Sequence, residues 1–175
     1  MTATPVQHIT IRHLAGPIST DDIIPGRYKH MYTDPKDLAP HVFENYDAAF
    51  GSSLRQGDAI YCREIFGIGS SREQAVTSLL AAGVVAVLAP RFGRIFFRNA
   101  WNLGLLAVTC GDLPFAEGES VALDLTAGTA SGKEERRALH QVPPAMLEMW
   151  QEGGLLARIR KRIAAGVVPA GGPIP

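Results

Sequence analysis

Cysteine is scarce: the 175 residues hold two, Cys62 and Cys110, far apart and in no C-x-x-C pair. Neither a disulfide framework nor a thiolate zinc site is written into such a chain. No H-E-x-x-H occurs either, so the zinc-hydrolase pattern has no support. Excess charge is missing as well. The 17 Lys and Arg cancel the 17 Asp and Glu, and the one basic tract is the short run from Arg158 to Arg162. That balance disfavours non-specific nucleic-acid binding through net charge. Long apolar runs are absent: the longest, 79–90, spans about a dozen residues and contains Gly83, too short to cross a bilayer. The opening MTATPVQHIT shows neither a charged nor a long apolar segment of the kind a secretory leader carries. A soluble cytoplasmic protein is the expectation.

What the chain does have is core-forming material, 46% hydrophobic residues in about one domain's worth of length. Glycine and proline punctuate it at intervals that fit alternating strands and helices. Alternation over Val6 to Leu14 reads as a first strand. An irregular polar stretch runs from Ala15 to Thr33, too long for a plain connector. Asp34-Pro35 then looks like a helix start, with Leu38, Val42 and Phe43 buried and an end near Tyr46. Asp58 to Phe66 reads as a strand, a helix runs from the next glycine turn to about Ala82, and the β-branched run Val84 to Ala89 reads as a strand buried on both faces. A helix over 93–102 and a strand over 105–109 complete a strand–helix repeat, which implies parallel pairing. Ser120 to Thr126 and Arg137 to Val142 suggest a hairpin around a Gly-Thr-Ala-Ser-Gly turn. A short helix from Pro144 to Trp150 precedes a basic amphipathic helix from Leu155 to Ala164. The expected domain is 1–165, with a disordered Gly/Pro-rich tail over 166–175.

Two segments stand out chemically. In Gly67-Ile68-Gly69-Ser70-Ser71-Arg72-Glu73 a strand enters and a helix leaves, so free amides and a positive helix end face whatever sits there. Ser70 and Ser71 add hydroxyls, and the Arg72 guanidinium can grip a carboxylate in a two-pronged fork. A carboxylate-bearing anion suits that assembly. Ser70-x-x-Glu73 also fits a capping box, which needs no ligand, and both readings stand at this point. No Lys-Ser or Lys-Thr completes a P-loop, and Arg72 occupies the third glycine of a dinucleotide fingerprint. The second segment is Ser19-Thr20-Asp21-Asp22-Ile23-Ile24-Pro25, with Arg27, Lys29 and His30 just after it. Paired acids ahead of three potential cations suggest more than a turn, although a solvated Asx- or ST-type turn explains them too. Cys62, Cys110 and the Phe96, Phe97 and Trp101 cluster read as core, and His41 as surface or capping. Arg91, Arg94 and Arg98 form a basic edge that could meet a partner chain or simply solvate a helix.

Together, Ser-Thr-Asp-Asp-Ile-Ile-Pro and Gly-Ile-Gly-Ser-Ser-Arg-Glu resemble the small subunits of 3-isopropylmalate dehydratase, free-standing versions of the swivel domain of aconitase. The resemblance runs to about Arg162 and includes the Asn-Ala-Trp-Asn-Leu-Gly-Leu segment. It implies a three-layer β/β/α swivelling α/β domain with a mainly parallel central sheet. It also implies a hydro-lyase that moves a hydroxyl between neighbouring carbons of a di- or tricarboxylate, in the leucine pathway. A [4Fe–4S] cluster would sit on a separate large subunit, since such clusters need several thiolates, and this chain would form one wall of a shared site. By motif position Ser70 would be the catalytic base, Asp21 the acidic active-site group, and Ser71 and Arg72 the carboxylate binders. Substrate choice would lie after Tyr28, where isopropylmalate enzymes carry apolar residues and homoaconitase-like ones an arginine. Lys29, His30 and Met31 match neither, so Lys29 and His30 are candidate substrate-binding cations. The alternatives are a homoaconitase-like or other small-acid hydratase subunit, and a non-catalytic anion-binding domain.

Overall fold

The computed structural model describes residues 6–167. The seven-stranded sheet has a parallel core of β1 (Val6–Leu14), β3 (Asp58–Cys62), β5 (Val84–Ala89) and β7 (Leu106–Thr109), side by side in that order. Thr10 pairs with Asp58 and Ala59 with Ala86, which sets the register across its centre. β3 is buried at every position and β5 and β7 at all but one each, because helices and a second sheet cover them. An antiparallel wing continues from β1 through β8 (Ser120–Asp124), β9 (Thr129–Ser131) and β10 (Arg136–Ala138). Beyond β10 the chain returns to the other edge: Cys110 bridges Leu139, and the His140 amide donates to the Thr109 carbonyl at 3.0 Å. An otherwise open edge is thereby covered.

Each crossover of the parallel core contributes a short strand to a second, three-stranded parallel sheet. After β1 comes β2 (Ile18–Ser19), after β3 comes β4 (Ile65–Ile68), and after β5 comes β6 (Arg91–Phe92), in the order β2-β4-β6. Helices then complete the crossovers: α1 (Thr20–Ile23), α2 (Pro35–Leu38) and α3 (Glu44–Ser53) in the first, α4 (Gln74–Ala81) in the second and α5 (Arg94–Leu103) in the third. Two further helices, α6 (Pro144–Gln151) and α7 (Leu155–Ala164), pack on α5. The result is the expected mixed α/β fold with a parallel sheet at its centre.

Several boundaries differ from the sequence reading. The single strand over 58–66 is two strands in two sheets, parted at the exposed Arg63 and Glu64. A period-two pattern cannot register that the chain changes sheets. The helix from Asp34 ends at Leu38, passes through a 3-10 turn at Ala39–His41, and breaks where Phe43 takes φ +58°. Phe43 and Val42 are buried as expected, yet outside any helix. The irregular stretch 15–33 contains β2, α1 and a 3-10 turn over Gly26–His30. The Gly-Thr-Ala-Ser-Gly stretch is itself strand β9 and not a hairpin turn. Phe96 and Trp101 are core, with Trp101 Nε1 donating to the Ala107 carbonyl at 3.2 Å. The tail expected from 166 lies, from 168 on, outside the described residues.

Candidate active site

Because β2, β4 and β6 run parallel, their carboxyl ends share one edge of the small sheet. In parallel α/β sheets that is where ligands are held. β2 delivers Ser19, Thr20 and Asp21 to this edge, and β4 delivers Gly69, Ser70, Ser71 and Arg72. Gly67 makes the delivery possible. It sits at φ +76°, and a Cβ there would lie 2.3 Å from the Phe96 ring, so no side chain fits between β4 and α5.

The capping box at Ser70 does not form. Helix α4 starts only at Gln74, and no side chain caps it. Ser70 is held instead by Thr20: its amide donates to Thr20 Oγ1 at 3.1 Å, and the two hydroxyls lie 3.1 Å apart. Thr20 is fully buried while Ser70 is exposed, so the serine hydroxyl faces outward on a fixed support. Among the described residues none accepts from the amides of Ser71, Arg72, Glu73 or Gln74. These donors and the positive end of α4 directly follow Ser70 in the chain.

The capping box occurs in the other segment. Ser19 Oγ accepts from the Asp22 amide at 3.1 Å, and the Asp22 carboxylate accepts from the Ser19 amide at 2.7 Å. Asp22 is therefore a cap, while Asp21 points away, 58% exposed, and accepts from Arg72 Nη1 at 2.6 Å. Arg72 also donates from Nη1 to the Ile24 carbonyl at 3.1 Å. Its Nε and Nη2 have no acceptor among the described residues, which leaves one guanidinium edge for a carboxylate. Gly26 keeps that edge open, since a Cβ there would come within 3.1 Å of Nη2.

The structure thus brings Asp21, Ser70 and Arg72 together, with Ser71 exposed beside them. Lys29 lies on the 3-10 turn, and its side chain falls outside the described residues. His30 is exposed on the same turn and forms no hydrogen bond with the other three. Sequence reading missed Thr20 as the anchor of Ser70; the one available signal was a hydroxyl next to Asp21. It also missed Glu44, which accepts from Arg27, from Tyr28 Oη at 2.8 Å and pairs with His41 Nδ1 at 2.8 Å. The Tyr28 and His41 rings stack 3.9 Å apart. Bonds from Tyr28, His41 and Arg27 hold the Glu44 carboxyl below the usual glutamate range.

An iron–sulfur cluster does not fit the residues of this chain. Its two thiols are buried, and burial, with Asp112 nearby, pushes Cys110 up to about 12, far from a ligating thiolate. No group of three or more His, Cys, Asp and Glu side chains among the described residues could hold a metal ion. Likewise, no helix among them is long and apolar enough to cross a membrane.

The family model for the aconitase C-terminal domain matches residues 5–112, a span that includes both segments. A 3-isopropylmalate dehydratase small subunit from Thermodesulfovibrio yellowstonii is 40% identical over 84% of this chain and 89% of its own length. One from Deinococcus deserti is 41% identical over 85% and 83%. The crystal structure of 3-isopropylmalate dehydratase from Methanocaldococcus jannaschii superposes with a TM-score of 0.85 at 33% identity, covering 93% of this chain and 98% of that one. Aconitase X from Thermococcus kodakaraensis, at 16% identity and a TM-score of 0.54, shares the fold.

Proposed function

The chain belongs to the aconitase C-terminal domain family, and we propose that it works as the small subunit of 3-isopropylmalate dehydratase, a hydro-lyase active only with a large subunit. The observation that carries the reading is the convergence of the two segments on one sheet edge, where Asp21 grips Arg72 and Thr20 holds an exposed Ser70. A capped helix start with no ligand would have Ser70 bonded to Glu73, and it is not.

The iron–sulfur chemistry implied by the family belongs to the large subunit, and none of this chain's own steps runs through it. This chain binds, orients and moves one proton. The free edge of Arg72, fixed in rotation by Asp21 and the Ile24 carbonyl, takes a substrate carboxylate as a fork. Ser70 Oγ removes the proton from the carbon next to that carboxylate, leaving its electron pair to form the double bond as the hydroxyl departs on the partner's side. A serine hydroxyl is a weak base, and among the described residues no His, Lys or carboxylate bonds to Ser70. Activation therefore rests on stabilising its alkoxide: by the open amides at the start of α4, by Arg72 nearby, and by Thr20, whose hydroxyl can donate to Ser70 Oγ. Ser71 adds a hydroxyl to the same carboxylate, and Lys29 and His30, on the turn after α1, meet the remainder of the substrate.

The test is reconstitution with the large subunit and assay of isopropylmalate, homocitrate and citrate. Isopropylmalate turnover by the mixture and by neither chain alone is the expected result. A preference for homocitrate would make the chain a homoaconitase-like subunit. Failure on all three acids with a cluster-loaded partner would return the site to a non-catalytic anion-binding role.

A further inference from the structure

The third strand of the small sheet ends at the same edge as the other two, and the proposed chemistry makes no use of the residues beyond it. β6 leads through Gly93 into α5, so Arg94 and Ile95 take the place that Asp21 holds after β2 and Ser70 after β4. The junction is tight: the Gly93 amide donates to the Phe66 carbonyl at 2.8 Å, and a Cβ on Gly93 would lie 2.1 Å from the Gly67 carbonyl oxygen. The first turn of α5 is therefore held against the strand that carries Ser70.

Its outer face is rich in cations. Arg91, Arg94 and Arg98 are all exposed, and none of their side chains has a hydrogen bond or ion pair among the described residues. Arg12, Arg27, Arg72, Arg137 and Arg158 each hold a carboxylate, whereas Arg63, Arg160 and Arg162 are exposed and, among the described residues, hold none. Next to Arg94 in the chain, Ile95 is 42% exposed, on the opposite side of the helix from the buried Phe96, Ala100 and Trp101. A chain with no net charge thus sets three cations and an exposed apolar side chain on the segment that follows β5, next to its site. Arginine around an apolar centre is the composition of interface hot spots.

We propose that Arg91, Arg94, Ile95 and Arg98 form the docking surface for the large subunit, and that they meet an acidic surface of that subunit with an apolar recess for Ile95. The inference rests on the two-subunit reading of the function. Whatever completes the site must cover the edge on which Ser70, Ser71 and Asp21 lie exposed, and this patch starts at the end of β6, the strand paired with the one that delivers Ser70. A second copy of this chain is a poor occupant, because a two-fold contact would set arginine against arginine. The patch brings the partner to the open side of Ser70 and, through its charge, speeds the encounter.

The experiment measures association of the purified chain with the cluster-loaded large subunit by titration at low and at physiological salt. Dehydratase activity is followed in the same mixtures. Three variants are compared: Arg94→Glu/Arg98→Glu, Ile95→Ser, and Lys133→Glu, an equally exposed cation in the turn between β9 and β10. The arginine pair should weaken association at least about 30-fold at low salt, with a shallower salt dependence. Ile95→Ser should weaken it about tenfold at both salts, and Lys133→Glu should stay within about twofold. With the large subunit saturating, kcat should return to near wild type in all three. Wild-type-like association of both patch variants would overturn the inference, as would an equal loss in Lys133→Glu or self-association of the wild-type chain through this face. If the wild-type chain neither binds nor activates the large subunit, the two-subunit reading itself fails, a distinct outcome.

Discussion

Two helices of this molecule start after parallel neighbouring strands, and both starts carry a serine with an acid three residues later. After β2, Ser19 and Asp22 satisfy each other's amides, and α1 begins at once. After β4, Ser70 and Glu73 do not meet, and α4 begins only at Gln74. The local pattern is the same, so the difference comes from elsewhere in the fold. The Ser70 amide is taken by Thr20, and Arg72 is drawn away by Asp21 and the Ile24 carbonyl. Tertiary bonds hold residues 70–73 out of the helix and, among the described residues, leave the amides of 71–73 without acceptors and the Ser70 hydroxyl bonded only to Thr20. One serine stabilises structure, and the other is available for chemistry.

Exchanging the roles breaks the comparison most sharply. Ser70→Ala should fold with an unchanged melting temperature yet cost about 4 kcal/mol of transition-state stabilisation, roughly three decades in kcat. Arg72→Lys keeps the charge but loses the planar fork. It should raise KM by about ten- to a hundredfold with a smaller change in kcat, read from initial rates at saturating large subunit. Thr20→Val keeps the shape of the support while removing both bonds to Ser70. A loss of about tenfold in kcat and about 1–3 kcal/mol of stability is expected, from an amide left without its acceptor, measured by kinetics and urea unfolding. Ser19→Ala should do the reverse of Ser70→Ala, with about 1 kcal/mol of unfolding free energy lost and kcat within about threefold.

The smallest effect concerns the turn over Gly26–His30, tied down at Glu44. Because the folded-state pKa of Glu44 is depressed, its contribution is fully present above the ordinary glutamate value and fades as pH falls through the lowered one. Amide exchange at Tyr28 and Met31, corrected for the intrinsic rate, should therefore be constant around neutrality and accelerate only in acid. Acceleration on raising the pH above neutral would contradict the assignment.

The same division between local and tertiary causes separates the features legible in the sequence from those that were not. The β-branched run of β5, the proline-started α6 and the aromatic core of α5 come from composition and period, and all stand where expected. The grouping of Asp21 with Ser70 and Arg72 came from the pairing of two motifs. The split of 58–66 into two sheets was not legible, because both pieces are apolar strands and only the topology separates them. Nor was the part played by Glu73 or Glu44. Glu73 matches a cap but makes no capping bond, and Glu44 gathers His41, three residues before it, with Arg27 and Tyr28 from a turn that no spacing rule connects to it.

The most direct test of the claim that the β4 serine is the proton-moving group is solvent hydrogen exchange. The reconstituted enzyme is incubated with isopropylmalate in D₂O, and deuterium entering the carbon next to the carboxylate is monitored by NMR. In Ser70→Ala, exchange should slow about a thousandfold, in step with turnover, with substrate binding and the melting temperature retained. Wild-type exchange in that variant would contradict the claim, and would place the base on the large subunit.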